Sequence, residues 1–152
     1  MHRAEQILQA AASTIADETD LAAAVYPHRT LSLSANDQEL PAICVNDGPD
    51  QPLAESGYSN LAFIDSNFQL DISIYAQGET QQQVADELYR LRSVVHRAML
   101  ASPRDLGLPS FVMGIAYGGA DKPDYATDAA PLAGTMDCSF TIMYRMDITS
   151  PE

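Results

Sequence analysis

The hydrophobic repeat changes period within one stretch, "NFQLDISIYAQGETQQQVADELYRL", residues 67–91. From 67 to 77 the period is two: Phe68, Leu70, Ile72, Ile74 and Ala76 fall on one side, and Gln69, Asp71, Ser73, Tyr75 and Gln77 on the other. That is a strand with one buried and one wet face. Gly78 supplies a turn, and Thr80 with Gln83 makes a T-x-x-Q capping box. Beyond it Val84, Leu88, Leu91, Val95 and Ala98 recur at helical spacing to about Ser102, where Pro103 stops the helix. Strand and helix extend ~36 Å and ~33 Å at their usual rises. They therefore match in length and lie antiparallel, with Leu88, Leu91 and Val95 over Leu70, Ile72 and Ile74. A helix covering one sheet face is thus required, and the other face is left for water or a partner.

The remaining segments extend that layer. A helix near residues 2–18 carries Ala4, Ile7, Leu8, Ala11 and Ile15 on one face. Extended segments follow at 25–34 and 40–46, with Leu31 and Leu33 alternating with Ser32 and Ser34, and with Pro27 and Pro41 suited to strand starts or an edge. The stretch "DGPDQPLAESGYSN", 47–60, reads as a long loop. Strands are predicted at 111–117 and 135–148, the second setting Cys138, Phe140, Ile142, Tyr144 and Met146 against Asp137, Ser139, Thr141 and Arg145. Between them "GGADKPDYATDAAPLAG" reads as a second long loop. The fold class is α+β: a mixed, mainly antiparallel sheet with an N-terminal helix and one long amphipathic helix packed on one face. At 152 residues the chain fits a single domain, 1–152, without internal repeat or linker.

Charge excludes several functions. Eight basic and 21 acidic residues give a net charge of −13, so a face that grips nucleic acid or anionic membrane by neutralising phosphates is not expected. Between Arg29 and Arg90 there is no Lys or Arg, while Asp37, Glu39, Asp47, Asp50, Glu55, Asp65, Asp71, Glu79, Asp86 and Glu87 all lie there. Charged residues are 19% of the chain, somewhat few for a lone surface and ordinary for one with faces hidden in an assembly. Arg90 and Arg97, seven apart, share nearly one stripe on the helix side away from Val84, Leu88 and Leu91. They are the expected subunit contact, meeting acidic residues of a neighbour from region 30–89. The competing expectation is an internal pair of Asp86 with Arg90, in the favourable i, i+4 order.

Reactive constellations are not found. Cys44 and Cys138 lie in predicted strands and read as buried thiols of a reducing compartment, with a single disulfide the other option. His2, His28 and His96 have no metal-ligand spacing. Ser56 in "AESGYS" is not a nucleophile elbow, and Gly118-Gly119 precedes an acidic loop and not a helix, unlike a phosphate cradle. Asp121, Asp124 and Asp128 form one candidate oxygen cluster, without the spacing of an EF-hand. The start, "MHRAEQILQAAASTIADE", lacks the apolar centre of a signal peptide, and no run reaches the ~20 apolar residues of a membrane helix. Assembly in the cytoplasm, with no catalytic residue, metal or cofactor, is the expectation.

The element order carries a resemblance. A helix, a strand pair ending in "LPAICVND", a long Gly/Pro loop, the strand "FQLDISIYA", the helix "VADELYRLRSVVHRAML", a strand, an acidic loop and the closing strand "CSFTIMYRM" follow one another. Together they resemble the tail terminator and minor tail proteins of long-tailed bacteriophages. The resemblance implies a homohexameric ring at the head-proximal end of the virion tail, capping the tail tube protein and offering a joining surface to a head-completion or connector protein. It also implies a lumen through which genome DNA passes without specific binding. The two loops become the tube and connector contacts, with Asp47, Asp50, Glu55 and Tyr58 in the first and Asp121, Lys122, Asp124, Tyr125 and Asp128 in the second. A neck protein of the same virion is the nearest alternative. A divalent-cation-dependent hydrolase using Asp121, Asp124 and Asp128, and a monomeric cytosolic adaptor, are the alternatives from other classes.

Overall fold

The two faces of residues 63–78 organise the chain. A computed structural model describes residues 1–19, 23–31, 40–53, 62–126, 132–147 and 149–152. In chain order they form α1 (Arg3–Glu18), β1 (Ala24–Pro27), β2 (Ala42–Pro52), β3 (Phe63–Gly78), α2 (Gln81–Leu100), β4 (Val112–Ala120), β5 (Asp124–Ala126) and β6 (Leu132–Asp147). The sheet runs β1-β2-β3-β6-β4, with the short β5 also paired to β6. Among the described residues only the β1–β2 pair is parallel. The fold is therefore α+β, mixed and mainly antiparallel.

Register follows from the alternation. β3 and β6 pair along their whole length, setting Phe68 opposite Ile142, Leu70 opposite Phe140, Ile72 opposite Cys138 and Ile74 opposite Met136. Shifting either strand by one residue would turn this set to the other face. Ile43 and Val45 of β2 continue the same buried face. Both helices cover it: α2 lies on β3 and β6, and α1 lies on α2, β1 and β2. Val84, Leu88, Leu91, Val95 and Ala98 are all buried there, as their spacing requires, joined by Ile7, Leu8, Ala11 and Ile15 of α1. Burying each large aliphatic side chain contributes about 1.5–3 kcal/mol.

The ends of α2 show why it begins and stops where it does. Oγ1 of Thr80 accepts from the Gln83 amide at 3.2 Å, and Oε1 of Gln83 accepts from the Glu79 amide at 2.9 Å. The box thus closes one residue further back than the usual reciprocal pair. At the other end Ala101 is extended and ends the helix two residues before Pro103.

Three expected boundaries move. The first loop, expected from residue 47, begins later, because β2 pairs with β3 through Pro52 with a register shift between Asp47 and Asp50. Pro49 and Pro52 are tolerated there because β1 reaches only Val45, and among the described residues no other strand pairs with that side of β2. The extended segment 25–34 ends as a strand at Pro27: His28 takes φ 56° and turns the chain away. Residues 32–34, its far end, lie outside the described residues. The second loop is largely strand, since β4 runs to Ala120, β5 occupies Asp124–Ala126 and β6 starts at Leu132.

The face turned from the helices is wet over only part of its area. Leu31, Leu40, Ala42, Cys44, Tyr75 and Ala133 make a second buried cluster on it. Tyr75, on the polar side of the period-two pattern, is only 6% exposed because it packs into this cluster, with the small Ala42 opposite it on β2.

Candidate assembly surfaces

The first contact segment is partly absorbed into the fold. Oδ1 of Asp50 accepts from Ser66 Oγ and its Oδ2 from the Tyr144 hydroxyl, each at 2.6 Å. Asp50 therefore serves the fold, and it is a strand residue, not a loop contact as expected. Burial, and next the hydrogen bond to Asp50, push the Tyr144 phenol well above its ordinary range, so it stays a donor. Asp47 is also in β2, exposed, with Oδ1 3.9 Å from Nδ1 of His28. The same imidazole meets Glu5 on α1 at 2.8 Å, and the Glu5 carboxyl is held below its ordinary value by Gln9 first and His28 next. Glu55 and Tyr58 lie outside the described residues.

The second segment keeps Asp121 and Lys122 exposed between β4 and β5, anchored by the Asp121 amide donating to the Asp137 carbonyl at 2.9 Å. Asp124 and Tyr125 belong to β5 and not to a loop; Tyr125 packs against the core. Asp128 lies outside the described residues. Among the described residues no three His, Cys, Asp or Glu side chains stand close enough to hold a metal ion.

On α2, Arg90 is tied to Glu87, with Nε to Oε2 at 3.0 Å, one residue from the expected Asp86. Asp86 instead accepts from Gln82 at 2.8 Å. Arg97 is exposed and makes no ion pair among the described residues. Arg92 donates to the Tyr117 hydroxyl at 2.6 Å, and His96 meets the Tyr117 ring edge-on at 5.2 Å between centroids. Tyr89, Arg92, Ser93, His96 and Arg97 line a shallow concavity of about 370 Å³. Tyr89 is 49% exposed.

The opposite sheet face holds a groove of about 480 Å³. Asp71 of β3, Asp137 of β6 and Asp121 supply its carboxylates, Ser73 and Ser139 its hydroxyls, and Gly118, Gly119 and Ala120 a nearly bare backbone wall. No Lys or Arg lines it. The glycine at 118 is required by close approach: a Cβ there would stand 2.6 Å from Ser139 Oγ. Neither this groove nor the Arg92–Tyr117–His96 group is visible as a spacing in the sequence, because strand pairing brings their members together.

The thiols occupy opposite faces of the sheet, Cys44 in the cluster with Tyr75 and Cys138 in the helix-covered core. No disulfide joins them. His2 caps α1, its Nδ1 accepting from the Ala4 amide at 3.0 Å.

No protein-family model and no curated protein matches the chain. Among solved structures it is similar in fold to a chain from the virion of a native gene transfer agent particle. That likeness has a TM-score of 0.52 at 18% identity and covers 94% of this chain and 92% of the other.

Proposed function

We propose that residues 1–152 form one domain of a virion structural protein that caps the tail tube as a ring, ends its polymerisation and provides the head-joining surface. The observation that supports this reading is the end-to-end likeness in fold to a virion-particle chain. The element order agrees with it. The subunits form a homohexamer at the head-proximal end of the tail, assembled in the host cytoplasm. Asp47 and Lys122, in the two contact segments, meet the tail tube protein and the head-completion or connector protein. Genome DNA passes through the lumen without specific binding, since a chain of net charge −13 repels phosphates.

The test is an early stop codon in this gene, with lysates viewed by electron microscopy. Overlong tubes detached from filled heads are expected, and complementation restores joined tails of uniform length. Tails of normal length still attached to heads would end the reading. Normal-length tails lying beside filled heads would move the protein to the neck.

A further inference from the structure

We infer that the acidic groove on the open sheet face receives the α2 patch of a second copy of this chain, with Arg97 of one copy entering between Asp71 and Asp137 of the next. The two surfaces complement each other in charge. The groove sets three carboxylates around a wall of glycine and alanine with no cation lining it. The patch sets Arg92, His96 and Arg97 around Tyr89, with no carboxylate lining it among the described residues. They cannot meet within one subunit, because the sheet stands between them: α2 covers one face and the groove opens on the other.

Arg97 and not Arg90 is the entering side chain. Glu87 already holds Arg90, and Tyr117 holds Arg92, whereas Arg97 is exposed and makes no ion pair among the described residues. Exposed Tyr89, which lines the same concavity, has the aromatic character of an interface anchor. Each copy would use one patch and one groove, so the contact is head-to-tail and propagates until it closes. The inference rests on the ring reading and names its subunit contact.

Charge reversal on each side tests it, read by native mass and sedimentation. Arg97→Glu and Asp137→Arg should each raise the concentration needed for assembly by roughly a hundredfold, with circular dichroism unchanged. An equal mixture of the two variants should assemble again. In it Glu at 97 faces Arg at 137, and the original Arg97 faces the original Asp137. Both positions are exposed, which keeps either change compatible with folding. Variants that assemble like the unaltered protein, or a mixture that stays monomeric, overturn the contact while leaving the ring and its capping role intact. Loss with Asp137→Arg alone also overturns it and gives the groove to a segment of the second copy other than the Arg97 patch. An unaltered chain that stays monomeric at every concentration overturns contact and ring together.

Discussion

The hydroxyl of Tyr144 donates to Oδ2 of Asp50 at 2.6 Å, joining β6 to β2 across the intervening β3. The other carboxylate oxygen takes Ser66 of β3, so one side chain ties three strands at one end of the covered face. Tyr144→Phe leaves Asp50 its second partner and should cost about 0.5–1.5 kcal/mol, the net worth of an ordinary hydrogen bond. Asp50→Ala removes the acceptor of two buried hydroxyls at once, Tyr144 and Ser66, and should cost about 1–3 kcal/mol. Urea melts should therefore rank Asp50→Ala as the more damaging; the reverse order would deny Asp50 this role.

The same phenol gives an alkaline dependence. Its value is raised from 10.0 on folding, so the folded protein favours the neutral form. The associated stability is fully present below the unfolded value near 10.0 and is lost as the pH rises above it. Tyr144→Phe should flatten the fall in stability above that pH relative to the unaltered chain. Parallel curves would place the alkaline sensitivity elsewhere.

Leu91 is fully buried where α2 lies on β3 and β6. Leu91→Ala should cost about 2–5 kcal/mol, as truncations of enclosed leucines do. A loss below about 0.5 kcal/mol in denaturant melts would contradict the packing of this helix on the sheet.

Gly134 of β6 lies against the first turns of α2. A Cβ there would stand 2.7 Å from Val84 Cγ1, 3.1 Å from Tyr125 Cδ1 and 3.2 Å from Leu88 Cδ1. Gly134→Ala should destabilise by about 1–3 kcal/mol through overpacking. Gly107, at φ 73° with nothing within 4 Å of a built Cβ, has space but the wrong backbone, so its alanine variant is strained for a different reason. A neutral Gly134→Ala would mean that α2 sits farther from β6.

Burial raises the Cys138 thiol to about 12, and Cys44 is equally enclosed. A disulfide reagent should label both only at the rate of unfolding, and two thiols should appear together in denaturant. Rapid labelling of Cys138 in the folded protein would show that α2 opens on its own.

The covered face of the sheet was legible because its information is periodic. Phe68 through Ala76 and Cys138 through Met146 alternate strictly, and Val84 through Ala98 repeat at three and four, so each residue's side follows from its own neighbours. The capping pair Thr80 and Gln83 was legible for the same reason. The strand state of Asp50 and Tyr125 was not: Gly48, Pro49 and Pro52 signal a loop, and only the length of β3 and the absence of β1 beyond Val45 make a proline-bearing strand admissible there. Arg90 chose Glu87 over Asp86, a difference of one helical position that rotamers decide and spacing does not.

By itself the sequence determined the helix-covered layer, the acidity that turns phosphates away and the scatter of its histidines, cysteines and serines, since all of these are local patterns or sums. Tertiary structure alone decided that Tyr75 would be buried on the polar side, that Asp50 would join three strands, and that Asp71, Asp121 and Asp137 would share a groove facing away from Arg97. The physical reason is strand register: it joins residues far apart in the chain, and no period within a single segment records which partner will stand opposite.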